Sequence, residues 1–404
     1  MKFLKPFFLL NICFLSAITA QERLVATINS NWLFFKGDTA KISSSDTWKR
    51  ISIPHTWNAE DVMDDEPGYY RGDAWYKKTI YVPAGWKEKD VYIFFEGAAQ
   101  VAEVFINGKL VGKHTGSYTA FSFLISKYLT YKNGANAANQ LVVKLNNSHN
   151  DDIPPLSGDY TFFGGIYRDV YLQAINKVHF AAENNASSGI FITTPSVTDH
   201  TAVVNLKGAL VNKSDSDRNL VISHQIFDAE GKLIAVQKNN FSAKAGEKIT
   251  FNQEIRNIQD PNLWSIENPY LYRVVSTITD ADTNQKVDEI SNPLGFRWYG
   301  FDAAKGFFLN GKPVKLIGAS RHQDFKGLGN ALPDAMHVRD VKLLKEMGGN
   351  FLRIAHYPQD PAVLQACDRL GIWASVETPI AKLRVFTKLL IPIREDTNRG
   401  VCLS

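Results

Sequence analysis

From about Trp32 to Leu172 runs of apolar and polar residues alternate at a period of two between turn residues, with no competing helical spacing, and a second all-β block runs from about Gly189 to Pro293. After Phe307 that pattern gives way to strand, helix, strand, helix, strand. A period of two sends successive side chains to opposite faces, so the larger part of the chain is committed to half-buried strands in packed sheets. The later pattern implies a parallel sheet with crossover helices, for which an eight-fold barrel is the leading candidate.

Within the first block, Trp75–Val82 and Val91–Phe95 read as strands, and Ala102–Ile106 runs into Asn107-Gly108, a strong hairpin signal because both turn positions need positive φ. Leu141–Leu145 and Val170–Leu172 extend a sandwich of jelly-roll type. A second all-β block has strands at Ala202–Val211, Leu220–Phe227, Leu233–Val236, Lys248–Ile255 and Tyr272–Thr279, the spacing of an immunoglobulin-like sandwich. In the last block Val314–Ile317 reads as the first barrel strand. Asp334 caps a helix that presents Val338, Val341 and Leu344 on one face and stops at Gly348. Phe351–Ile354 is the second strand, Asp360-Pro361 opens a helix closed by Gly371, and Ile372–Val376 is the third. The expected architecture is multidomain and mainly β: leader 1–20, jelly-roll sandwich 21–182, immunoglobulin-like sandwich 183–297, and an incomplete (β/α)8 TIM barrel over 298–404.

Lys2 and Lys5 ahead of the apolar run Phe7–Leu15, with small residues to Ala20, read as a secretory signal cleaved near Ala20. A membrane anchor is the competing reading, but the run is shorter than the ~20 residues a span needs. The expected location is periplasmic or extracellular, without a membrane span. The net charge of +4 is small and evenly spread, which excludes a nucleic-acid binder. Cys13, Cys367 and Cys402 cannot build a disulfide scaffold. Scattered Asp and Glu show no metal spacing and no phosphate loop or nucleotide fingerprint is present, so no metal and no cofactor is expected.

Four stretches resemble glycoside hydrolase family two, which holds β-galactosidases, β-glucuronidases and β-mannosidases. Pro54-His55-Thr56-Trp57 followed by Trp75-Tyr76-Lys77-Lys78 is similar to the opening of its sugar-binding sandwich. Gly158-Asp159 with the Gly164–Val170 stretch (GGIYRDV) resembles that domain's closing motif, and Leu263-Trp264 with Asn268–Tyr272 the end of its middle domain. Phe308–Pro313, Gly318, Arg321–Asp324, Asn350–Arg353, His356–Pro358 and Cys367–Gly371 follow its first barrel units.

The resemblance implies a retaining β-galactosidase-like glycosidase whose partner is a β-galactoside or related β-glycoside. Such chemistry needs two carboxyl groups ~5–5.5 Å apart. In the family both are glutamates, on the fourth and seventh barrel strands, with the acid/base in an Asn-Glu pair. No Asn precedes Glu in this sequence, and about 100 residues follow Phe307, where a barrel takes ~250. The expectation is a fragment lacking both catalytic glutamates and inactive alone, its tail Ala381–Ser404 reflecting a lost reading frame or gene-model error. A naturally shorter protein with a divergent end is the alternative. So is a non-catalytic secreted carbohydrate-binding sandwich.

By the same resemblance Arg321, His322, Arg353 and His356 line the C-terminal rim of the barrel, Arg353 as partner to the nucleophile and the histidines as hydroxyl or transition-state contacts. Asp159 reaches from the sandwich to sugar hydroxyls or is a turn residue. Glu377 falls one strand too early for an acid and supports the site through hydrogen bonds. Trp373 and Tyr357 read as packing residues, and Asp334 and Asp360 as helix caps. Oligomeric state is open.

Overall fold

The computed structural model describes residues 23–37, 48–182 and 186–379. The leader at 1–20 and the tail at 381–404 lie outside the described residues.

The first sandwich packs a six-stranded antiparallel sheet on a four-stranded one. The six run in spatial order Lys49–Ile51, Trp32–Lys36, Asp73–Val82, Ala137–Asn146, Val101–Ile106, Lys109–Thr115. The four are Arg23–Thr27, Val170–Ile175, Asp90–Phe95 and Phe121–Leu124. Inward residues of both sheets, among them Trp32, Tyr76, Ile93, Val104, Val143 and Leu172, form one core. Asn107 and Gly108 take φ of 50° and 78°, the conformation the hairpin turn demands. The second sandwich sets Thr201–Asn212, flanked by Ile190–Val197 and Lys248–Gln259, against the sheet Leu233–Ala243, Arg218–Phe227, Tyr272–Asp280, Lys286–Leu294. Its Leu233–Ala243 strand runs seven residues past the Leu233–Val236 expected from apolar content: polar Gln237–Asn240 interrupt the pattern on this edge, and Phe241 and Ala243 then return to the core.

The third region has its own core. Three parallel strands, Gly318–Arg321, Phe351–Ile354 and Trp373–Val376, are bridged by helices α1 (Asp334–Glu346) and α2 (Pro361–Leu370). Val341, Leu352, Ile354, Val363, Ala366 and Cys367 pack between sheet and helices; burial pushes the Cys367 thiol up to about 12. The order is the strand–helix–strand unit of a TIM barrel, present here as three strands and two helices among the described residues.

Two expectations are corrected. The first barrel strand is not Val314–Ile317 but Gly318–Arg321. Val314 and Leu316 instead fill a cluster with Trp264, Phe307 and Trp373 at the seam with the immunoglobulin-like domain. Gly318 can open the strand because it has no side chain: a Cβ there would stand 1.6 Å from the Phe351 carbonyl oxygen. Asp334 is not the cap of α1 but its first residue, Pro333 occupying the cap without a side-chain bond. Asp360 does cap α2, accepting from Ala362 N at 2.9 Å, and Gly371 closes it at φ 69°.

The barrel strands are seated on both sandwiches. Trp264 Nε1 donates to Asp368 O at 2.7 Å and Lys345 Nζ to Ile266 O at 2.8 Å. From the jelly roll, the buried Arg168 donates to Pro358 O at 2.9 Å. Among the described residues no helix is long and apolar enough to cross a membrane.

Candidate functional site

Register decides which side chains meet. Ser320 pairs with Arg353 and Ser375 across the parallel sheet, and Arg321 pairs with Ile354 and Val376. Neighbouring residues on a strand point to opposite faces. Arg353 therefore shares its face with Ser320, away from the helices, and Arg321 faces them with Ile354.

On the helix-free face the strand ends gather Arg353, His356 and Glu377. Arg353 Nε lies 2.5 Å from Glu377 Oε1, and its Nη1 donates to Ser320 Oγ at 3.1 Å. His356 Nδ1 stands 2.9 Å from Glu377 Oε2 and 3.4 Å from Arg353 Nη2. Burial raises the Glu377 pKa, but the hydrogen bonds from His356 and Arg353 and their charge outweigh it and hold the carboxyl below its ordinary value. Glu377 is thus fixed as an anion, an acceptor and not a proton donor.

His322 joins this group. Its ring meets His356 edge-on with centroids 5.1 Å apart. Tyr160 completes the wall from the jelly-roll side, stacked on His356 at 5.7 Å and tilted over His322 at 5.7 Å. Burial and the neighbouring Asp159 push its hydroxyl up to about 12, and that oxygen is turned inward and buried, so the ring face is what Tyr160 offers the site. Tyr357 is buried beneath, stacked on Tyr118 with centroids 4.0 Å apart. It packs, as does Trp373 against Trp264 and Phe307. Exposed Asp159 stands beside this wall through its neighbour Tyr160.

Arg321 goes elsewhere. Its Nε and Nη2 donate to Asp340 Oδ2 at 2.9 and 2.8 Å, its Nη1 to Gln359 Oε1 at 2.5 Å, and Nη2 lies 3.0 Å from His337 Nδ1. Burial, then the Arg321 and Arg168 charges, lower the His337 pKa to about 3. Gln359 Nε2 returns bonds to the Arg321 and Ala355 carbonyls at 2.6 and 3.1 Å. This cage fixes the loop that carries His356, so Arg321 acts on the site through the backbone.

The structure thus brings together His322, Arg353, His356 and Glu377, sets Asp159 at their edge and turns Arg321 behind them. Sequence reasoning missed Tyr160, Gln359, His337 and Asp340. Tyr160 follows Asp159 and Gln359 follows His356-Tyr357-Pro358 directly, so adjacency to quoted motifs was the available signal. His337 and Asp340 carried none, because an i, i+3 polar pair on a helix is ordinarily solvated.

Comparison with known proteins gives consecutive matches. The sugar binding domain model of glycosyl hydrolases family 2 matches residues 25–175, the general family 2 model 188–297, and the family's TIM barrel domain model 303–396. A beta-glucuronidase of Bacteroides fragilis is 37% identical over 378 residues, covering 91% of this chain and 52% of the relative. A beta-galactosidase of Bacteroides ovatus is 33% identical over 367 residues, covering 88% and 41%. A solved structure of a calcium binding mutant of Bacteroides uniformis beta-glucuronidase 2, with two aspartates replaced by alanine, superposes with a TM-score of 0.81 at 44% identity, covering 89% of this chain and 43% of that one. The chain therefore spans about half or less of the length of these relatives. With three successive domains matched in the family's order, the chain belongs to glycosyl hydrolases family 2.

Proposed function

We propose that this chain supplies the sugar-binding sandwich, the immunoglobulin-like module and one wall of the active site of an exported, retaining β-glycosidase. The observation that carries the reading is the Arg353–Glu377–His356 network at the C-terminal ends of the parallel strands, where barrel enzymes bind substrate. Two imidazoles and a guanidinium, beside the ring face of Tyr160, suit a polyhydroxylated ring, the polar groups standing at fixed positions. Retention needs a second carboxyl ~5–5.5 Å from the first and one of the pair protonated. Glu377, bonded on both oxygens to cations or donors, does not meet that need, and no other glutamate joins this group among the described residues.

The 404-residue chain is therefore a binding half-site that turns over nothing by itself. The relatives are named for β-glucuronides and β-galactosides, and these are the substrate classes of the proposal. Aryl β-galactoside and β-glucuronide assays on the purified chain should stay at background. Turnover that persists in Arg353→Ala would overturn both the inactivity and the site. Export follows from the leader at 1–20; N-terminal sequencing of the mature protein should begin at Gln21.

A further inference from the structure

Partway along its length the jelly-roll strand Asp73–Val82 loses a neighbour. Trp32–Lys36 pairs with it only from Ala74 to Lys77, and no other strand among the described residues pairs with Thr79–Val82 on that side. A cavity of about 630 Å³ opens at this gap, lined from both sheets of the sandwich. Ala26 and Leu172 of the smaller sheet face it, with Ile80 and the buried Trp86. Its size lies within the ~300–1,000 Å³ of small-ligand sites.

Three cations line this cavity, Arg50, Lys77 and Lys78, and among the described residues no acid does. Strand parity places Lys78 with Tyr76, Ile80 and Val82, all buried, on the inward side. Its ammonium donates to Ser30 O and stands 5.9 Å from the centre of the Trp32 ring, and burial lowers its pKa. Arg50 Nη1 donates to Asn31 Oδ1 at 3.4 Å, and Lys77 Nζ lies 4.1 Å from the centre of the Trp48 ring. None of the three meets a carboxylate among the described residues. Other partly buried cations of the sandwiches do: Arg23 meets Asp288 at 2.7 Å, and Lys177 meets Asp90 at 2.5 Å. A partly buried ammonium without a counter-ion carries a desolvation cost that a bound anion offsets.

We propose that this cavity is a second saccharide site, holding a uronate stretch of a polysaccharide whose reacting sugar sits at the rim. A bare anion would need only the cations. The rest of the lining suits a sugar ring: Ile80, Leu172 and Trp86 match its C–H faces, and the Asn31 and Gln140 amides match its hydroxyls. The Arg50 guanidinium fork fits a carboxylate. The strand also leads toward the rim. At its start Gly72 N donates to Asn147 Oδ1 at 2.9 Å and Asn147 Nδ2 to Phe162 O at 3.1 Å, and the Phe162 ring tilts against Tyr160 with centroids 5.3 Å apart. Thr79, six residues past Asp73, lies about 20 Å along the strand. A polymer engaged at both places is held at a raised effective concentration at the rim. The proposal rests on the glycosidase reading for the choice of a saccharide, and its test separates the two.

The 404-residue chain is titrated by calorimetry with a galacturonate hexamer, with the methyl ester of the same hexamer and with linear polyphosphate. The expected result is binding of the hexamer that weakens as sodium chloride rises and falls about tenfold on esterification. Lys78→Met, and Arg50→Gln combined with Lys77→Gln, should each weaken it about fivefold or more. Lys78→Met should melt no lower than the parent, since it puts an apolar chain at an inward-facing position, and that outcome excludes a folding defect. Lys127→Met, exposed on the same sandwich, and Arg353→Ala at the rim should leave hexamer binding unchanged. Binding lost in Arg353→Ala and kept in the cavity variants overturns the second site while leaving the glycosidase reading intact. Ester or polyphosphate bound as tightly as the hexamer overturns uronate recognition, and absence of binding by the parent overturns the site altogether.

Discussion

Arg321 and Arg353 lie on adjacent parallel strands, one position out of step in register, and the molecule uses them in opposite ways. Arg321 pairs with Ile354 and is enclosed between sheet and helices by Asp340, His337 and Gln359. Arg353 pairs with Ser320, keeps 43% of its side chain exposed and holds a carboxylate that His356 shares. Strand parity alone separates an anchor from a binding group. The same guanidinium fork satisfies a buried network in one place and presents donors to solvent in the other.

The comparison breaks most readily at the anchor. Arg321→Met leaves the buried His337 and Gln359 without their shared partner, each at a cost of about 1–3 kcal/mol, while Asp340, 38% exposed, can turn to water. Hydrogen exchange of the α1 amides should accelerate accordingly, while the two sandwiches stay protected. A loss under about 1 kcal/mol would mean that the cage is not what fixes the strand ends.

A smaller effect tests whether the anchored layer depends on its seat. Gly371 has φ 69°, and a Cβ there would lie 2.2 Å from the Ile266 carbonyl oxygen of the neighbouring domain. Gly371→Ala should cost about 1–3 kcal/mol through backbone strain and loss of that approach. Urea unfolding should show the loss, with fluorescence of Trp264 and Trp373 responding first because both pack at this seam. If exchange at α1 is unchanged, the anchor is independent of the seat.

These two arginines also show what could be read in advance. Both strand-helix units and the sandwiches were legible because period-two alternation and the caps Asp360-Pro361 and Gly371 are local signals. The division of labour between Arg321 and Arg353 was not. Placing the first barrel strand at Val314–Ile317, where apolar content is highest, left Arg321 in a loop with no parity to assign. The true strand, Gly-Ala-Ser-Arg, is small and polar because its exposed face buries nothing. The apolar run upstream serves a different contact, the Trp264 cluster, that only tertiary structure defines. Tyr160 offered only its adjacency to Asp159, for a similar reason. Its value lies in stacking on His356, about two hundred positions along the chain, and one aromatic in a loop carries no period.

The smallest stability effect belongs to the rim, and it is the sharpest test of the contrast. Arg353→Ala removes a partly exposed ion pair, which is worth under about 1 kcal/mol. Its signature is electrostatic. Glu377 is held below its ordinary pKa by hydrogen bonds and charge from His356 and Arg353 acting against burial. A depressed carboxyl stabilises the folded state above its unfolded value, near ~4.5, and that contribution disappears as pH falls through the folded value. Without Arg353 the depression shrinks, so carbon-detected NMR of the Glu377 carboxyl should show its midpoint moving up toward the ordinary range. Arg321→Met, acting on the other face, should leave that midpoint in place. Equal displacement by both substitutions would show that the two arginines belong to one network and that parity does not divide them.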